Sequence, residues 1–190
     1  YAIKTVAGSP NRPEDDNKSL LYLNGIPETT FTTFRIDGKD YIYGNSYSGL
    51  TMEGGFIEAP NTEGMVNTST WKSGGIEITQ KLEMTDNVTS SDVGNVKISY
   101  LITNKGTSSK SIGTRVLMDT MLGDNDGSKI SLDGKSDISY ETEVSGEDIP
   151  VYWRTVDSEE NPKVVSYGFL KGWGNTPPDR MTIAHWSALS

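Results

Sequence analysis

Residues 115–127, Arg-Val-Leu-Met-Asp-Thr-Met-Leu-Gly-Asp-Asn-Asp-Gly, run an apolar segment straight into a knot of oxygen donors: Asp119, Asp124, Asn125 and Asp126. Hard cations take carboxylate, amide and carbonyl oxygens, so the first chemistry to consider is a calcium site built from these four residues. The EF-hand register fails. With Asp124 and Asp126 as its third and fifth positions Gly127 falls correctly, but the first ligand would be Leu122 and the twelfth Asp133. A calcium loop of another kind stays open. A second chemistry is acid–base work by paired carboxylates, with Asp119, Asp124 or Asp126 as the acids; such a pair need only converge in space. The third reading is a tight turn. Asn and Asp tolerate left-handed backbone, and Gly adopts it without penalty. A turn alone does not account for Asp119, which closes an apolar strand where an unpaired carboxylate is costly to bury. Arg115 lies four residues earlier, on the same face of a strand, and would pair with it. A buried Arg–Asp pair and a turn together need no ligand.

The remaining chemistry is sparse. The single histidine, His185, would have to serve any Ser–His–Asp triad, and no G-x-S-x-G stretch accompanies it. It is expected on the solvated face of a strand or in a local hydrogen bond. There is no phosphate-binding glycine loop of either common type. With no cysteine, disulfides, thiolate metal sites and cysteine nucleophiles are all excluded. Four tryptophans, at 71, 153, 173 and 186, are many for this length. Sugars lay their apolar faces on aromatic rings, and Trp173, between glycines in Lys-Gly-Trp-Gly-Asn-Thr-Pro-Pro-Asp, is the one placed to offer such a surface. Trp71, Trp153 and Trp186 read as core.

These residues must be held by strands. Gly, Thr, Ser and Tyr are abundant, and no window shows helical periodicity. Turn signals recur about every 8–12 residues, the spacing of a sandwich or barrel. Asp37-Gly38 between alternating runs predicts a two-residue hairpin. Ser73-Gly74-Gly75 predicts a turn into a long strand with Ile76, Ile78, Gln80, Leu82 and Met84 on its buried face. Gly54-Gly55 reads as a bulge or a close approach of backbone. Further strands are expected at 2–8, 20–25, 96–104, 110–120, 129–132, 137–144, 150–156, 164–170 and 180–189. One all-β domain over 1–190 follows. The last strand runs almost to Ser190 and Tyr1 follows no Met, so the chain is expected to be an excised part of a larger protein, shortened at its C-terminal end.

Charge narrows the partners. Lys and Arg total 17 against 26 Asp and Glu, a net charge of -9. That balance speaks against nucleic acid, which needs a basic face, and against anionic lipid. No apolar run approaches the ~18 residues of a membrane span, so no membrane insertion is expected.

The quoted core, together with Trp-Lys-Ser-Gly-Gly-Ile-Glu-Ile-Thr-Gln (71–80), Ile-Pro-Val-Tyr-Trp-Arg (149–154) and Pro-Pro-Asp-Arg-Met-Thr-Ile-Ala-His-Trp (177–186), resembles a family of bacterial secreted or surface proteins of unassigned function. Its marks are a D-T-M-L-G-x-N-D-G core, an upstream W-x-x-x-G-I-x-[VI]-T-Q stretch and a P-P-D-R turn. The likeness covers roughly residues 60–186. It implies an extracellular or cell-surface location and a domain that continues past Ser190. Asp179 and Arg180 of the P-P-D-R turn join Trp173 as the candidate ligand-binding set. More distantly, Val96–Asn104 resembles galactose-mutarotase-like super-sandwiches. Their activity needs histidines with a carboxylate partner, which His185 alone does not supply, so the fold is implied without the activity. The expectation is an antiparallel two-sheet sandwich, super-sandwich-like. It would be a non-catalytic extracellular module that binds carbohydrate or another cell-surface component, with Ca2+ as the one candidate cofactor. A carbohydrate-active enzyme using paired carboxylates and a purely structural spacer are the alternatives.

Overall fold

The computed structural model describes residues 1–5, 11–23, 29–44, 55–86, 94–134 and 136–189. Every ladder between its strands is antiparallel, and the fold is all-β and sandwich-like. The chain gathers into two compact units, one of residues 31–117 and one of residues 1–30 with 118–190.

In the 31–117 unit, β1 (Phe31–Ile36) and β2 (Lys39–Ile42) make the expected hairpin. Asp37 and Gly38 sit at φ 50° and 84°, the left-handed pair that a type I′ turn requires. The Asp37 carboxylate also accepts from Ser111 N–H at 3.0 Å and Lys110 Nζ at 2.7 Å. That tie brings β7 (Ile112–Leu117) against the other side of β1. The second sheet is a meander of β3 (Gly55–Glu63), β4 (Val66–Ser73), β5 (Ile76–Asp86) and β6 (Gly94–Asn104). Phe34, Ile36 and Tyr41 of the first sheet pack against Trp71, Ile76 and Ile78 of the second, which makes a two-layer sandwich. The alternation predicted for β5 holds where the layers face each other: Ile76, Ile78 and Gln80 are buried, whereas Met84 at the far end is exposed. A polar link crosses this core. The Tyr100 hydroxyl is 2.6 Å from Thr32 Oγ1 and 2.7 Å from Gln80 Nε2, so β1, β5 and β6 share one hydrogen-bond network. The register shifts of β3 fall between Phe56 and Asn61; of the expected Gly54-Gly55 bulge, Gly54 lies outside the described residues and Gly55 pairs in register with Lys72.

The other unit carries a three-stranded sheet in the order β11-β10-β8: β8 (Ile130–Leu132), β10 (Tyr152–Val156) and β11 (Val165–Phe169). A ribbon of β9 (Thr142–Ser145) and β12 (Arg180–Ile183) belongs to it as well. Leu21, Leu122, Ile149, Val156 and Val164 are its buried apolar side chains. The early strands predicted at 2–8 and 20–25 are, where described, only the isolated bridges Lys4–Ser19 and Leu21–Thr120. The last predicted strand stops at Ile183. Residues 186–189 instead close a helical turn in which Ala188 N–H donates to the His185 carbonyl at 2.9 Å. His185 is therefore not a strand residue; it is exposed and makes the expected local hydrogen bond instead, with Nδ1 2.9 Å from Ser187 Oγ.

Candidate functional site

The knot is first of all a turn. Leu122 and Asn125 exchange both backbone hydrogen bonds, at 3.1 and 3.0 Å, around Gly123 (φ 60°) and Asp124. The Asn125 side chain is used at both ends: Oδ1 accepts from Gly127 N–H at 2.9 Å, and Nδ2 donates to the Asp157 carbonyl at 2.9 Å. Leu122, fully buried, anchors the turn from beneath. Asp124 and Asp126 are exposed and diverge in their surroundings. Asp124 opens onto a depression of about 320 Å³ shared with Lys18, Asp157 and Lys163. Asp126 acts on Asp119.

Asp119 follows β7 rather than ending it. Its N–H donates to Thr30 Oγ1 at 3.1 Å, and its carbonyl accepts from Tyr22 N–H at 2.8 Å. Burial pushes its carboxyl above the ordinary aspartate value, the Thr29 hydroxyl and His185 pull it back, and Asp126 raises it further. The predicted partner does not figure here. Arg115 stands opposite Thr33 inside the ladder, and its charge acts on Asp40. The strand stops at Leu117, so the four-residue spacing no longer places the two residues on one face. Among the described residues no group of three or more Asp, Glu or His is gathered closely enough to hold a metal ion.

The aromatic site is on the β11-β10-β8 sheet. Strand alternation puts Tyr152 of β10 and Tyr167 and Phe169 of β11 on one face. The Tyr167 and Phe169 rings are nearly parallel, 6.1 Å apart and 20° from coplanar; Tyr152 meets Tyr167 edge-on at 5.7 Å and Phe169 at a tilt at 5.9 Å. Trp173 completes the row, its ring centroid 4.5 Å from that of Phe169. Trp173 is 77 % exposed and Tyr167 49 %.

The loop that carries Trp173 is built to present it. Gly172, Trp173 and Gly174 all have left-handed backbone, at φ 80°, 51° and 77°. For a bulky residue this is an outlier that its surroundings must impose. Asn175 imposes it, donating its N–H to Gly172 O at 2.9 Å and its Nδ2 to Phe169 O at 3.0 Å. The strands beneath are pinned at their ends. Asp133 Oδ1 accepts from Val151 and Tyr152 N–H at 2.8 and 3.1 Å, and Asp157 Oδ1 accepts from Lys163 and Val164 N–H at 2.9 and 3.1 Å. On the opposite face the Trp153 indole lies directly over Gly168, where a Cβ would come within 2.1 Å of the ring.

Of the sequence candidates, Trp173 is the one in the row. Asp179 and Arg180 belong to the β9–β12 ribbon: the Asp179 carbonyl accepts from Gly146 N–H at 3.2 Å, and Arg180 Nη1 is 3.6 Å from Glu143 Oε2. The ring contacts of the row include neither. Tyr152, Tyr167 and Phe169 were missed, although their alternation in Val-Tyr-Trp-Arg and Ser-Tyr-Gly-Phe was the signal. Trp71 is core as expected, 1 % exposed, and Trp186 is half-buried with Nε1 3.3 Å from Thr29 O. No protein-family model, no curated protein and no solved structure matches this chain.

Proposed function

We propose that the chain is a non-catalytic carbohydrate-binding module of a bacterial surface or secreted protein, and that its ligand lies on the Tyr152–Tyr167–Phe169–Trp173 row. The observation that carries this reading is Trp173 itself, a large apolar ring left in solvent, held there by a strained backbone and continued by Tyr167 across the sheet. Exposed aromatic surface is costly to leave in water, and a pyranose ring has an apolar face to cover it. The location outside the cell rests on the motif resemblance. Affinity electrophoresis through gels containing xylan, β-glucan, pectin and alginate tests the reading. Retardation by at least one polymer is expected, and W173A should abolish it. Retardation by none, or retardation indifferent to W173A, removes it.

One observation favours a second reading, a carbohydrate-active enzyme. Asp119 has a raised carboxyl and a second carboxylate, Asp126, acting on it, as an acid–base pair requires. Release of reducing ends from the same polymers, lost in D119N, would support it.

A further inference from the structure

Arg154 stands on the face that carries the aromatic row. It is two residues along from Tyr152 and directly opposite Tyr167 in the β10–β11 ladder. Residues so paired have side chains in reach of one another. Arg154 is half-buried, yet among the described residues its guanidinium has no hydrogen bond, ion pair or ring contact. The contrast with the other arginines is informative. Arg12 meets Glu14, Arg35 meets Asp40, and Arg180 meets Glu143; Arg115 bears on Asp40. Among the described residues Arg154 has no acid beside it, in a chain with 26 acidic residues. A second positive charge lies in the Trp173 loop, where Lys171 Nζ donates to the Glu147 carbonyl at 3.2 Å.

We infer that the site selects acidic polysaccharides, and that Arg154 reads the carboxylate of a uronic acid whose ring rests on Tyr167. This rests on the carbohydrate-binding reading and names its ligand class. The guanidinium is planar and presents parallel N–H donors that match a carboxylate in two hydrogen bonds. A partly desolvated charge is left poorly compensated until such a partner arrives. Overall charge works against a polyanion, so recognition has to be local and short-range, which a fork beside a stacking surface provides.

The test uses matched polymers that differ only in charge, with the intact chain: polygalacturonate against its fully methyl-esterified form, and glucuronoxylan against unsubstituted xylan, by calorimetry. The acidic member of at least one pair should bind about tenfold or more tightly than its neutral counterpart. R154Q should erase that preference and leave neutral binding in place, R154K should restore part of it, and W173A should weaken both members. Equal affinity for acidic and neutral members, or a preference unmoved in R154Q, overturns the inference while leaving the platform intact. Binding of no polymer of either kind removes the platform reading and this one with it. Circular dichroism melts of R154Q and R154K confirm that a lost preference is not lost folding.

Discussion

Trp173 offers a comparison whose sign is opposite to the usual one. At most positions glycine is less stable than alanine by about 0.5–1 kcal/mol, because the unfolded glycine has more freedom to lose. Position 173 has φ 51° between two left-handed glycines. There an L-residue with a Cβ is strained by roughly 1–2 kcal/mol, and glycine is not. W173A and W173G lose the same indole and the same contact with Phe169, so those losses cancel between them. What remains is the strain less the chain entropy, and W173G should be the more stable by about 0.5–1 kcal/mol. In urea this appears as a higher midpoint at an unchanged slope, followed by circular dichroism. Both variants should lose polysaccharide retardation equally. If W173A equals or exceeds W173G in stability, the left-handed conformation costs no more than glycine's chain entropy, about 0.5–1 kcal/mol, and the argument that the loop pays to expose its ring fails.

Y100F should destabilise the 31–117 unit by about 1–3 kcal/mol, because Thr32 and Gln80 would each lose a buried partner; urea unfolding measures it. G168A forces a Cβ to within 2.1 Å of the Trp153 indole, so a loss of about 1–3 kcal/mol and a changed near-ultraviolet spectrum are expected. For Asp119 the folded carboxyl is raised above 3.8, so the folded chain holds its proton more tightly than the unfolded one. Its contribution is complete below that value and is lost as pH rises through the folded value. Melting temperatures of the parent and D119N should therefore diverge from about pH 4 upward, in favour of D119N, and a constant offset across pH would refute this assignment. Millimolar calcium should leave the melting temperature within error, because the Asn125 amide is already engaged at both ends; a concentration-dependent rise would overturn that.

The parts legible in the sequence were those set by local rules. Asp37-Gly38 fixes a hairpin because two adjacent left-handed residues admit few alternatives. The period-2 pattern of residues 76–80 identified a core face because both neighbours of β5 are themselves strands. The last predicted strand failed at Ala184–Leu189, a stretch short enough that alternation and a helical turn give similar patterns. The turn in the knot is legible from its Asn, Asp and Gly residues, whereas the expected Arg115–Asp119 pair assumes a strand two residues longer than the one that forms. The aromatic row illustrates a different limit. Trp173 stands out by its glycines, and Phe169 meets it across the local loop, but Tyr152 joins Tyr167 and Phe169 only through a ladder register, which single-sequence patterns do not specify.

Phe31, the first residue of β1, lies opposite Leu117, the last of β7. The chain thus leaves the 31–117 sandwich beside the point where it entered. In an antiparallel ladder such opposed residues are only about 4.5–5.5 Å apart. The sandwich is topologically a cassette, both of whose ends emerge at one doorway, and a two- or three-residue turn from Thr30 to Met118 would span the gap left by its removal. The aromatic row, with Asp133, Asp157 and Asn175 holding it, is encoded wholly outside the cassette. The sandwich could therefore be cut from the sequence in one piece without removing any residue of the row.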